Sequence, residues 1–117
     1  MSNKNLFEGI KVLAVARQIA APFATYQLAM HGAEVLTIDN PKEVDSMRLV
    51  AGAGGGLAKH AMSHSFLAQA ANKKSMQLDI SVAKGQEIFR RLVAESDVVV
   101  ENLVAGNMAR YGQAMTT

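Results

Sequence analysis

A chain of 117 residues, half of them hydrophobic, has the size of one domain and enough apolar mass for a core. Twelve basic against ten acidic residues leave a net charge of only +2, and aromatics make up 5% of the chain, which excludes a broad nucleic-acid surface with stacked bases. There is no cysteine, so disulfides and thiolate chemistry are excluded.

The first element is read at residues 12–15, where Val12, Leu13 and Val15 make an apolar run suited to a strand covered on both faces. Residues 16–21 cross to a helix that has Pro22 in its first turn and Gly32 available to end it with positive φ. A second apolar strand follows at 34–38. Strand, helix and strand at this spacing are the unit of a parallel α/β sheet. Asp39, Asn40 and Pro41 end the second strand, and residues 44–50 are read as a short helix.

Residues 51–65, with Gly52, Gly54, Gly55 and Gly56, read as a linker; no Gly-Lys-Ser/Thr follows them, as a phosphate loop would require. His60 and His64 lie within this polar stretch and are not expected to hold a metal. A short helix is expected at 66–71 and a polar joint at 72–75. The alternation of Met76, Leu78 and Ile80 with Gln77 and Asp79 predicts a third strand over 76–80, near a sheet edge.

Ser81 is read as the N-cap of a helix over 82–96, with Ile88, Phe89, Leu92 and Val93 on its inner face and Arg90 and Arg91 in solvent. The run Val98, Val99, Val100 predicts a central buried strand ending at Glu101 and Asn102. A last short helix over 105–112 carries Arg110. The expected fold is α/β: a Rossmann-like parallel sheet of about four strands with crossover helices in three αβα layers.

In such sheets ligands gather outside the carboxyl ends of the strands. That edge collects Arg17 after the first strand, Asp39 and Asn40 after the second, and Asn102 after the fourth. Lys73 and Lys74 precede the third strand, which by simple topology puts them at the opposite edge unless the loop folds back. The dinucleotide signature Gly-x-Gly-x-x-Gly is absent from the first turn, which disfavours a nicotinamide site.

Taken together, several segments resemble the class III CoA-transferase family, whose members include carnitine, bile acid and formyl-CoA transferases and the α-methylacyl-CoA racemases. They are Phe7-Glu8-Gly9-Ile10-Lys11-Val12-Leu13, Ala21-Pro22-Phe23-Ala24-Thr25, Gly32-Ala33-Glu34-Val35, Asn72-Lys73-Lys74-Ser75-Met76-Gln77-Leu78-Asp79, Asp97-Val98-Val99-Val100-Glu101-Asn102, and residues 106–112. The resemblance implies coenzyme A or an acyl-CoA as ligand. It places Arg17 near the CoA site, Lys73 and Lys74 at the nucleotide end, Asn102 facing the cofactor and Arg110 on phosphate. Asn40 stands where some members have an adenine-side arginine.

Ala21 replaces a glycine usual before the proline, and Val104-Ala105-Gly106 replaces Arg-Pro-Gly. The family's nucleophilic aspartate falls beyond Thr117, as do the racemase acid/base pair and the second domain, so no catalytic residue is assigned among Asp39, Asp45, Asp79 and Asp97.

The expectation is one truncated CoA-transferase-like domain over 1–117, inactive alone. The alternatives are a non-catalytic self-associating protein and one half of a split transferase or racemase. A cytoplasmic protein without membrane or nucleic-acid partners is expected, as an ordinary two-fold homodimer or with a complementing chain.

Overall fold

The computed structural model describes residues 5–50 and 60–113. The linker glycines lie outside them. Strand β1 spans Lys11–Val15, helix α1 Ala20–Met30, β2 Glu34–Asp39, α2 His64–Ala70, β3 Lys74–Gln77, α3 Ala83–Ala94, β4 Val98–Glu101 and α4 Asn107–Arg110; a single 3₁₀ turn, Ser46–Leu49, follows β2. The strands form one parallel sheet in the order β3-β2-β1-β4.

Alternation along β1 divides the core. Val12, Ala14 and Ala16 point to one face, where they meet Ala21 and Ala29 of α1 with Ala33 and Val35. Leu13 and Val15 point to the other, where Phe89 of α3 is buried with Ile38, Leu78 and Ile80. The sheet is thus sandwiched between helices, as expected. Small residues in the first cluster let α1 lie close to the strands. Thr25, inside that contact, satisfies its hydroxyl by donating to the Ala21 carbonyl at 2.9 Å.

Gly32 follows α1 with φ of +102°, the left-handed conformation that allows the chain to reverse into β2. Gly85 meets a different demand. A Cβ there would overlap the Asp79 carbonyl, so only glycine lets α3 press against the segment after β3.

Four expectations are corrected. The third strand begins and ends earlier, at Lys74–Gln77, and the joint at 72–75 contributes Lys74 and Ser75 to it. Leu78 and Ile80 alternate because they pack beneath α3 outside the strand, and Leu78 N–H still donates to the Asp39 carbonyl at 2.9 Å. Val82, not Ser81, occupies the N-cap of α3, because Asp79 Oδ1 takes both the Ser81 N–H at 2.9 Å and its hydroxyl at 2.5 Å. The β4 valines form an edge strand among the described residues, paired with β1 alone and with Val98 40% exposed. Its β-branched run packs Val99 and Val100 on opposite faces without covering its outer side. Ile88 is also 38% exposed and lies outside the α3 core face.

Candidate functional site

The carboxyl edge of the sheet is organised by the turn after β1. Gln18 takes a left-handed backbone conformation, φ of +63°, uncommon for a residue with a side chain. Contacts from two sides hold it. Asn102, just past β4, accepts the Arg17 N–H at 2.9 Å and donates to the Arg17 carbonyl at 2.7 Å. From the segment after β2, Asp45 Oδ1 accepts the Gln18 N–H at 3.4 Å, and Glu43 pairs with the Arg17 guanidinium at 2.5 Å.

This turn is the wall between two hollows. One, of about 230 Å3, opens on the α3 side and is lined by Ala16, Arg17, Asn40, Glu43, Ser81 and Asn107 among others. The second, about 80 Å3, lies on the α1 and α2 side between Pro22, Thr37, Asp39, Arg48, Phe66, Lys73 and Ser75. Ala16 lines both. Ala21 lines neither. Its methyl is buried in the core beside Val12 and Ala14, so the alanine at this position does not narrow either hollow.

Lys73 does reach the carboxyl edge. The start of β3 is staggered along β2, with Lys74 opposite Leu36, so the residue before it falls beside the first turn of α1. Its Nζ donates to the Pro22 carbonyl at 2.8 Å. The amine is half-buried, and burial pushes its pKa down from 10.5 to about 8. No carboxylate pairs with it among the described residues. Lys74 turns away to Glu34, at 3.0 Å, near the start of β2, and holds that carboxyl below its ordinary value by hydrogen bond and charge.

The sequence reading did not select Arg48. Its guanidinium lies 3.8 Å from the Phe66 ring centroid, a cation–π distance, and 3.8 Å from Asp39 Oδ2. Asp39 in turn accepts the Ser75 hydroxyl at 2.6 Å. Asp45 starts the 3₁₀ turn that presents Arg48, accepting the Met47 N–H at 3.0 Å. The spacing Asp45-x-x-Arg48, a capping carboxylate one turn before a cation, was the available signal.

The six expected site residues therefore separate. Arg17 and Asn40 line the larger hollow, and Lys73 and Lys74 line the smaller. Asn102 is spent on the β1 turn. Arg110 is exposed on α4, 3.4 Å from Asn107 Oδ1, and lines neither hollow. Among the described residues no group of histidine and carboxylate side chains is arranged to hold a metal.

The family model for CoA-transferase family III matches residues 7–116. The chain is 38% identical over 104 residues to a succinyl-CoA–L-malate CoA-transferase alpha subunit of Chloroflexus aurantiacus, covering 89% of this chain and 24% of that protein. It is 37% identical over 112 residues to human succinyl-CoA:glutarate CoA-transferase, covering 96% and 25% respectively. A CaiB/BaiF family protein of Brucella suis superposes with a TM-score of 0.75 at 30% identity, over 97% of this chain and 30% of that one. A hypothetical protein of Mycobacterium tuberculosis gives 0.81 at 25% identity, over 94% and 29%. The chain spans about a quarter of the length of the curated relatives it matches. With the motifs in order along nearly its whole length and the sheet superposing, this chain belongs to CoA-transferase family III.

Proposed function

We propose that this chain supplies the nucleotide-binding wall of a CoA-thioester site and no catalytic carboxylate. The observation that carries this reading is Lys73, an ammonium half withdrawn from water at the carboxyl edge, with a carbonyl as its one partner among the described residues. Holding a cation there is costly, and a phosphate oxygen would offset the cost through a charge-assisted hydrogen bond.

The donor set fits such a group. Arg48 lies across the same hollow with its plane fixed by Phe66, while the Ser75 hydroxyl is committed to Asp39 beside it. In the larger hollow, Asn40 offers a carboxamide next to the Arg17–Glu43 pair. CoA, when bound, carries the acyl group as an activated thioester. This chain's own residues would fix and neutralise its phosphates, while Asn102 and Asp45 keep the Arg17–Gln18 wall in place. Acyl transfer then needs a carboxylate beyond this chain's own aspartates, from further sequence or from a complementing chain. The complementing arrangement is supported by relatives named as alpha and beta subunits of one transferase.

Calorimetric titration with CoA and acetyl-CoA tests this reading. The parent should bind both, and Lys73→Ala should weaken binding by about tenfold to a hundredfold, the worth of one hydrogen bond to a charged group. Arg110→Ala, at a residue outside both hollows, should change binding little. No heat from the folded parent at millimolar CoA would overturn the proposal.

A further inference from the structure

Lys73 differs from every other lysine at a described position. Lys11, Lys42, Lys74 and Lys84 are exposed, and two of them are neutralised, Lys42 by Asp79 at 2.7 Å and Lys74 by Glu34 at 3.0 Å. Lys73 is partly buried, and its Nζ donates to the Pro22 carbonyl at 2.8 Å. The side chain lies between two openings. One is the hollow of about 80 Å3 shared with Ala16, Pro22, Arg48, Phe66 and Ala70; the other is a wider depression beside Gly32, Ala33 and Asn72. A small molecule can thus approach the amine from one side while a group attached to it settles on the other. The hollow has room for a two-carbon acyl group, roughly 60 Å3 or two water volumes. Its walls at Ala16, Pro22, Phe66 and Ala70 are apolar.

We infer that Lys73 is an acylation site, whose amine takes a short acyl group from a small thioester that reaches this hollow. The neutral amine attacks the thioester carbonyl carbon. The N–C bond forms, the C–S bond breaks, its electron pair leaves with sulfur, and the proton given up by nitrogen ends on the thiol. Arg48, lining the same hollow, supplies positive charge for the oxygen that is negative in the tetrahedral adduct. The Pro22 carbonyl accepts a hydrogen from either the ammonium or the neutral amine, whereas a carboxylate partner would hold the extra proton in place. Burial then favours the neutral form. With the amine lowered to about 8, about a quarter of it is free base at pH 7.5, against about a thousandth at the ordinary 10.5. The product also suits the fold, because an amide keeps one N–H for the Pro22 carbonyl and removes a charge that is costly to bury. The consequence for CoA rests on the function proposed above, while the modification does not: an acylated Lys73 offers no cation to a phosphate, so acylation closes the nucleotide wall.

The test uses S-acetyl-N-acetylcysteamine, a thioester without a nucleotide, on the 117-residue chain at pH 7.5, with acetylation located and timed by peptide mass spectrometry. Lower basicity and partial burial slow the attack, and Lys73 should still gain acetyl about tenfold faster than exposed Lys11 or Lys84. In denaturing urea the preference should vanish. Ala70→Leu, which fills the hollow, should slow acetylation of Lys73 several-fold and leave Lys84 unchanged. Lys73 modified no faster than Lys84 in the folded chain, a preference that persists in urea, or an Ala70→Leu chain with the parent's far-UV spectrum and the parent's rate at Lys73 would each overturn the inference. Calorimetric titration of the acetylated chain with CoA separates the two readings: rapid acetylation at Lys73 with CoA binding unchanged would support the acylation site and tell against the phosphate role of that lysine.

Discussion

Replacing Lys73 with methionine should stabilise the fold at neutral pH while weakening CoA binding. Methionine keeps the length and the apolar stem and removes the half-buried charge. The displacement of the amine pKa from 10.5 to about 8 corresponds to about 3 kcal/mol at full value, and solvent access to the amine reduces this to about 1 kcal/mol. The lost hydrogen bond offsets little, because the Pro22 carbonyl lies in the first turn of α1 and also accepts a backbone N–H one turn further on. The sign follows from proton linkage. The folded pKa is the lower one, so between about 8 and 10.5 the unfolded chain binds more protons and parent stability rises with pH. Urea unfolding at pH 7 and pH 10 is the assay. At pH 7, Lys73→Met should exceed the parent by about 1 kcal/mol, or a few degrees in Tm. The gap should narrow by pH 10. A variant less stable than the parent at pH 7, or a gap that ignores pH, would refute the reasoning.

Asn102→Ala removes both bonds to the Arg17 backbone and should cost about 1 to 2 kcal/mol, with faster hydrogen exchange at the Arg17 amide as the local sign of a released turn. Gly85→Ala gains about 1 kcal/mol of helix propensity but drives a methyl into the Asp79 carbonyl; overpacking should win, leaving a net loss of about 1 to 2 kcal/mol by thermal unfolding. Asp79 is held at about 2 by its bonds to Lys42 and then Ser81. Its stabilisation is complete above its ordinary 3.8 and is lost as pH falls through about 2, so an acid titration of Asp79→Asn should lack that part of the parent's decline.

The first half of the fold was legible because local rules agree there. Val12 and Leu13, Pro22 and Gly32 each favour the conformation that packing then uses. The third and fourth strands were harder for physical reasons. Leu78 and Ile80 alternate like a strand because α3 buries them from above, and period alone does not distinguish that from pairing. A valine run reports β preference and apolar surroundings, but whether its far side is covered depends on another stretch of chain. At the carboxyl edge, counting past strand ends places Arg17 and Asn40 together, and both line the larger hollow. Arg48, an isolated cation in the sequence, was not placed at this edge because a single 3₁₀ turn has little periodicity, and the contact of Asn102 is with a residue 85 positions away.

Strand β1 has its two neighbours at very different distances in sequence. β2 follows after one helix, whereas β4 joins it across nearly the whole chain, and the Lys11 N–H even donates to Asp97, 86 positions on, at 2.8 Å. Closing a loop of that length costs about 4 kcal/mol before the contact returns anything. During synthesis, β1, α1 and β2 can therefore assemble early, yet one side of β1 waits for residues near the end. A nascent chain halted before Val98 would leave that backbone edge unpaired next to Val12 and Leu13, open to chaperones or to the β1 of another ribosome's product.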